Sequence, residues 1–139
     1  MVLVTGADPS DRLPSGKRMR KFGTRLTEVI SAMVEGREDV TFVDNVNSAE
    51  GRREAYWSAD RLHLTSLGHE WIANRVLTAM GVPTDPPTYT DAEAPGKGLR
   101  GELSYYRTYV LPWIGRRIMG RSSGDGRSPK FATWTRVAP

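Results

Sequence analysis

A carboxylate and an imidazole lie three residues apart near the middle of the chain. Asp60 and His63 precede Thr65 and an apolar run that begins at Trp71. On a turn that ends at a helix cap, this spacing places the two side chains next to each other without help from a distant segment. Asp60 then accepts a hydrogen bond from one ring nitrogen of His63, and the other nitrogen is free to take a proton from a hydroxyl group. The pattern predicts a catalytic base with its orienting carboxylate.

Other uses of these residues stay open. His63 is alternatively a loop histidine that packs or caps, and Asp60 an ordinary turn aspartate. Tyr56 and Trp57 precede the turn and either line an acyl pocket or, more often for such aromatics, pack in the core. His69 suits a structural role in the first turn of a helix, and a metal site of Asp60, His63 and His69 is disfavoured because the two histidines need not converge. We predict no metal and no cofactor.

The residues before the pair have the pattern of a strand, a helix and a second strand. Residues 1–5 form a short, mainly apolar run closed by Gly6, typical of a strand covered on both faces. Apolar residues recur at helical spacing over 19–33 and predict an amphipathic helix of about 18 residues with a basic outer face, ending near Gly36. Residues 40–44 read as a second buried strand. This order implies a right-handed parallel βαβ unit.

A second helix is predicted directly after the pair. Thr65 or Ser66 caps its N-terminus, and Gly81 followed by Pro83 ends it. In open α/β sheets, ligand sites lie in loops that leave the C-terminal ends of the strands, so the pair is on the expected side of the sheet. The predicted core stripe of this helix is Leu67, Trp71, Ile72, Val76, Leu77 and Met80.

Composition divides the chain further. Residues 1–81 are the α/β part, and 82–97 contain four prolines and predict a linker. Residues 98–119 predict an amphipathic helix interrupted at Pro112, which lacks an N–H, and 120–139 a flexible basic tail. Residues 1–96 hold 11 Lys and Arg against 14 Asp and Glu, a net −3, whereas 97–139 hold 9 against 2, a net +7. The basic character therefore belongs to the C-terminal part, and the chain has no cysteine for disulfides, thiolate metal sites or a thiol nucleophile.

The run Asp60-Arg61-Leu62-His63-Leu64-Thr65-Ser66-Leu67-Gly68-His69 resembles the last sequence block of the SGNH/GDSL hydrolases, an Asp-x-x-His followed by a helix-capping turn. The preceding strand, helix and strand are similar to the closing part of their flavodoxin-like sheet. The resemblance covers roughly residues 2–81. It implies a partial three-layer α/β/α flavodoxin-like fold and hydrolysis of a small-molecule ester or acyl substrate by a Ser-His-Asp mechanism. His63 would be the general base and Asp60 its orienter.

The other sequence blocks of that family are absent from these residues. Gly124-Asp125-Gly126 lacks the serine of a Gly-Asp-Ser block, and neither Asn45 nor Asn47 occupies the family's asparagine position. The chain therefore resembles the C-terminal half of such an enzyme, and alone it is expected to be nearly inactive. Because two parallel strands leave apolar edges and faces without partners, we expect marginal folding, self-association or packing on a missing N-terminal segment.

A second hypothesis treats the chain as a non-enzymatic interaction module. Its basic C-terminal part, with Tyr105, Tyr106, Tyr109 and Trp113, would bind anionic lipid or nucleic acid. A charge-rich tail is more often simply solvated, and a nucleic-acid partner is disfavoured. No apolar run approaches the roughly 20 residues that span a bilayer, and the N-terminus lacks the order of a signal peptide. We therefore predict no membrane span and a cytoplasmic location.

Overall fold

The computed structural model describes residues 1–85, 99–122, 124–129, 131–133 and 135–136. The chain divides into two compact units, residues 1–97 and residues 98–139, and each is described by itself. The predicted linker, residues 82–97, falls wholly within the first unit. Its residues 82–85 are neither helix nor strand, and 86–97 lie outside the described residues.

The first unit is built on a small parallel sheet. Strand β1 (Val2–Val4) pairs with strand β2 (Thr41–Val43), and helix α1 (Gly16–Val34) connects them. Mixed helix and parallel sheet confirm the α/β character predicted from the sequence. The three-layer flavodoxin-like arrangement stays a prediction. The described residues supply β1 with a single neighbouring strand, and Val4 is 45% exposed. Within the described part of the chain β1 is therefore not covered on both faces, as expected for a sheet of two strands without further partners.

Helix α1 is buried along a face different from the one its apolar residues predict. Its most buried positions are Gly16 and Thr27, so the protected face is lined partly by small residues. A side chain at position 16 would meet the backbone oxygen of Ser10 at 1.7 Å, which explains the glycine there. Of the predicted apolar stripe only Ile30 is partly buried. The other five members are exposed by 38% to 72%, and they are Met19, Phe22, Leu26, Val29 and Met33.

The core of the first unit is aromatic. Helix α2 (Ser66–Ala79) brings Trp71 onto Tyr56, with ring centroids 5.3 Å apart and nearly parallel planes. Trp57 completes the cluster and donates its indole N–H to the carbonyl oxygen of Gly51 at 3.0 Å. A Cβ atom at position 51 would lie 2.6 Å from the ring of Trp71, so only glycine allows this approach. The core therefore joins α2 to the segment between β2 and the Asp60–His63 pair.

A buried amide joins the ends of both strands to α2. Asn45 is fully buried, and its side-chain N–H donates to the carbonyl oxygen of Thr5 at 2.9 Å. Its side-chain oxygen accepts from Arg75 Nε at 2.7 Å, while Arg75 Nη2 donates to the carbonyl oxygen of Asp44 at 2.8 Å. The backbone N–H of Asn45 donates to Thr5 Oγ1 at 2.8 Å. The side-chain N–H and the side-chain oxygen of Asn45 therefore both have hydrogen-bond partners, one in the residue after β1 and the other in α2.

The second unit contains one helical stretch with a change of winding. Helix α3 (Leu99–Tyr105) passes into a π-helical turn, Tyr106–Val110, and then into helix α4 (Leu111–Ile118). The π turn ends two residues before Pro112, the residue whose missing N–H predicts an interruption. Among the described residues beyond 119 there is no helix or strand. None of the described helices combines the length and apolar character needed to cross a membrane.

Replacing Asn45 by alanine is expected to lower the free energy of unfolding by about 1–3 kcal/mol, because it leaves the Thr5 carbonyl and the Nε–H of Arg75 without their partner. The measurement is chemical denaturation followed by circular dichroism. Asn47→Ala is the matched control, since Asn47 is exposed and bonds to Asp44 at the surface. Equal destabilisation by the two variants would contradict the structural role assigned to Asn45.

Candidate active site

The pair lies in a short closed loop whose ends are fixed to the aromatic core. Trp57 and Leu64 form an isolated antiparallel bridge, and the N–H of Ser58 donates to the carbonyl oxygen of His63 at 2.8 Å. Within the loop, the N–H of Arg61 donates to the carbonyl oxygen of Ser58 at 2.8 Å. Arg61 has a φ of +61°, a left-handed conformation that is costly for a residue with a Cβ atom. The loop therefore reverses the chain within residues 58–63.

Asp60 and His63 contact each other directly. Asp60 Oδ2 lies 2.5 Å from His63 Nδ1, and Asp60 Oδ1 accepts hydrogen bonds from the backbone N–H groups of Leu62 and His63, each at 3.0 Å. One carboxylate oxygen thus closes the turn and the other holds the imidazole. The side-by-side placement predicted from the spacing is what the structure shows.

The imidazole is open to solvent while its partner is largely covered. The side chain of His63 is 76% exposed, compared with 26% for Asp60. Within the part of the chain that the structure describes, no hydroxyl group is hydrogen-bonded to His63 Nε2. This nitrogen is therefore available to a group that approaches from outside these residues.

The surroundings of Asp60 favour its ionised form. Partial burial alone would raise its pKa, but hydrogen bonds from the His63 side chain and from the backbone N–H groups of His63 and Leu62 prevail and lower the pKa below its ordinary value of 3.8. The carboxylate is thus charged at neutral pH. A charged Asp60 fixes the proton of His63 on Nδ1 and stabilises a positive charge on the ring when Nε2 takes up a proton.

The helix after the loop begins as the sequence predicts. Thr65 is the N-cap of α2, and its hydroxyl oxygen accepts from the backbone N–H of Gly68 at 3.2 Å. The same hydroxyl donates to the carbonyl oxygen of Ala55 at 2.8 Å, so one side chain joins the helix to the segment before the loop. Sequence reasoning missed the contribution of Gly68. A Cβ atom there would lie 2.4 Å from the backbone oxygen of Tyr56, and the available sequence signal is a glycine three residues after the cap, inside the first turn of the helix.

The other candidate residues do not join the pair. Tyr56 and Trp57 are almost entirely buried in the aromatic core, which gives them a packing role. Among the described residues, no three histidine, aspartate or glutamate side chains are placed to hold a metal ion, so His69 does not complete a site with Asp60 and His63. Asn45 has its amide committed to the strand ends and α2, consistent with leaving it outside the catalytic assignment.

A second polar cluster, at the end of β1, was not anticipated. Asp8 is buried and accepts from the N–H of Ser10 at 3.0 Å and from Arg20 Nε at 3.1 Å. Burial works to raise the pKa of Asp8, but the hydrogen bonds of Ser10 and Arg20 prevail and lower it. Because these groups bind one another, the cluster attaches the loop after β1 to α1.

An open cleft lies along β2 and α2 and has a volume of about 570 Å³. Phe42, Trp71, Arg75 and Thr78 are among its lining residues, whereas Asp60 and His63 are not. The pair therefore stands on the surface outside this cleft. A substrate held against His63 would need further walls.

Comparison with known proteins returns no relative. No protein-family model matches the chain, and neither a curated protein nor a solved structure matches it.

We expect the pKa of Asp60 to rise toward 3.8 in the His63→Ala variant, since the side-chain hydrogen bond is lost while the two backbone N–H bonds remain. Because the pKa of Asp60 is lower in the folded than in the unfolded chain, its contribution to stability is fully present at pH values above the unfolded-state pKa. This contribution is lost as the pH falls through the folded-state pKa. The measurement is an acid titration of the Asp60 carboxyl carbon by NMR. His69→Ala is the control and should leave that titration unchanged. An identical Asp60 curve in His63→Ala would refute the contact.

Gly68→Ala is expected to cost about 1–3 kcal/mol of stability, because the added methyl group meets backbone, which cannot move aside as a side chain would. Gly6→Ala is the matched control, since nothing lies within 4 Å of a Cβ atom there. Thermal unfolding of both variants tests this. A Gly68→Ala protein as stable as the Gly6→Ala protein would show that the start of α2 is not packed this closely on the loop.

Proposed function

We propose that His63 and Asp60 are the general base and the orienting carboxylate of an ester hydrolase of the SGNH/GDSL type. The observation that carries this proposal is the 2.5 Å contact between Asp60 Oδ2 and His63 Nδ1 on an imidazole that is 76% exposed. A histidine that served only to pack would be covered, and a turn aspartate needs only the backbone bonds. The arrangement leaves Nε2 of His63 free to accept a proton.

In the proposed reaction, His63 Nε2 takes the proton of a serine hydroxyl as its oxygen attacks the ester carbonyl carbon. The protonated ring then gives that proton to the leaving alcohol, and an acyl-enzyme remains. A water molecule then attacks the acyl-enzyme while His63 takes its proton. The ring returns that proton to the serine oxygen as the acid is released. Asp60 stays ionised throughout and stabilises the imidazolium, in keeping with its lowered pKa. The chemistry uses no cofactor or metal.

The serine and the oxyanion donors are proposed to come from a segment outside these 139 residues. Two features favour such a partner: the exposed apolar stripe on α1 between Met19 and Met33, and the exposure of Val4 on β1. A preceding segment that adds strands and helices, or a second polypeptide, would cover both and supply walls for a small ester substrate. The flavodoxin-like arrangement and the cytoplasmic location remain parts of this proposal.

The test has two arms that use a short-chain aryl ester. The chain alone is expected to show no turnover above the His63→Ala variant, since a triad without its nucleophile retains only residual catalysis. The second arm adds the nucleophile-bearing part of an SGNH hydrolase that ends before its own Asp-x-x-His block. Activity should then appear and fall by about four orders of magnitude in Asp60→Asn. The His63→Ala variant should be inactive in this arm.

His69→Ala is the matched control because His69 is also an exposed histidine and lies at the start of α2, outside the pair. It should retain the complemented activity. Turnover by the chain alone that disappears in His63→Ala would place the nucleophile among its own residues. Failure of complementation, or an equal loss in His69→Ala, would overturn the assignment of His63 as the base.

A further inference from the structure

The helical stretch of the second unit carries a row of exposed apolar side chains. Their exposed fractions range from 39% at Ile114 to 91% at Leu99. Side chains of this size are costly to leave in water, so a row of them along one helix marks a surface for contact. The row consists of Leu99, Leu103, Tyr106, Leu111, Ile114 and Ile118.

The π turn keeps this row on one side of the helix. Successive members are separated by 4, 3, 5, 3 and 4 residues. Steps of three and four return to the same face of an α-helix, whereas a step of five does not. The step of five runs from Tyr106 to Leu111 and coincides with the π turn Tyr106–Val110, in which each hydrogen bond spans one residue more than in an α-helix. The wider turn therefore absorbs the extra residue, and the row continues from α3 into α4.

Positive charge accompanies the apolar row. Residues 99–118 hold four arginines and one acidic residue, Glu102, and the whole segment 97–139 has 9 Lys and Arg against 2 Asp and Glu. The guanidinium of Arg117 lies 5.6 Å from the ring centroid of Trp113, so a cation and an amphipathic aromatic are placed together. The four arginines are Arg100, Arg107, Arg116 and Arg117.

We propose that the helical stretch 99–118 lies on the surface of an anionic lipid bilayer. The row enters the boundary between headgroups and acyl chains, and the long arginine side chains keep their charges at the lipid phosphates. The charge complementarity selects anionic over neutral lipid, since each basic residue near such a surface adds attraction. The helix lies in the interface and does not span the membrane.

The aliphatic character of the row favours lipid over nucleic acid. Single-stranded nucleic acids bind through stacking on aromatic rings and through phosphate contacts. Leucine and isoleucine side chains such as Leu103 and Ile118 contribute to neither, yet they are 72% and 81% exposed. They gain free energy only where apolar surface leaves water, as it does at a bilayer. This proposal rests on the second unit and is independent of the Asp60–His63 chemistry.

The experiment is cosedimentation of the full chain with vesicles of phosphatidylcholine, with or without phosphatidylglycerol. Binding is expected to the anionic vesicles and to weaken as salt is added. Ile118→Glu should weaken it more than about tenfold, because an inserted apolar group is lost and a like charge is added. Ser104→Glu makes the same change of charge at an exposed position of α3 outside the row and should weaken it only about fivefold.

Leu103→Glu is a second test of the row, and circular dichroism establishes that each variant keeps its helix. Loss of binding in Ile118→Glu and Leu103→Glu beyond that in Ser104→Glu supports the proposal. Equal binding to neutral vesicles, or no binding to anionic ones, overturns it. Binding to a DNA oligonucleotide that exceeds binding to anionic vesicles, and that is indifferent to Ile118→Glu, would also overturn it in favour of a nucleic-acid partner.

Discussion

The first unit depends on the satisfaction of one buried amide. Asn45 connects the end of β1, through Thr5, with α2, through Arg75. Two short strands paired over three residues cannot hold the unit by themselves, because an isolated pair of strands is at best marginally stable in water. The amide adds cross-links between segments far apart in the sequence. Since an unsatisfied buried polar group is costly, these cross-links exclude arrangements in which α2 lies elsewhere.

The geometry of the candidate site depends on the position of α2 that the Asn45 hydrogen bonds fix. With α2 in place, Trp71 stacks on Tyr56, and the bridge between Trp57 and Leu64 closes the loop that carries the pair. Within the loop the backbone N–H groups of Leu62 and His63 hold one oxygen of Asp60, so the other points at the imidazole. The packed aromatic core therefore supports the polar, exposed loop that carries Asp60 and His63. Rigid support of this kind limits the motion that would separate a base from its orienting carboxylate.

Local features could be predicted from the sequence, and features set by distant contacts could not. The spacing of Asp60 and His63 and the cap at Thr65 depend on residues within one turn of each other, and the structure shows both. Periodicity identifies which residues of a helix share a face, but not what covers that face, which is why most of the apolar stripe between Met19 and Met33 is exposed in the structure. The Asn45–Arg75 bond joins residues thirty positions apart and leaves no local pattern.

The Asp60 carboxylate, the His63 imidazole and the backbone N–H groups that hold the carboxylate all fall within residues 58–63, so the hydrogen bonds of the pair are local to one loop. Changes elsewhere in the chain that preserve the Trp57–Leu64 bridge and the aromatic core would therefore leave these hydrogen bonds in place. Transfer of the pair to another α/β scaffold would accordingly require residues 57–64 together with the aromatic packing that holds their ends, and not the six-residue loop alone.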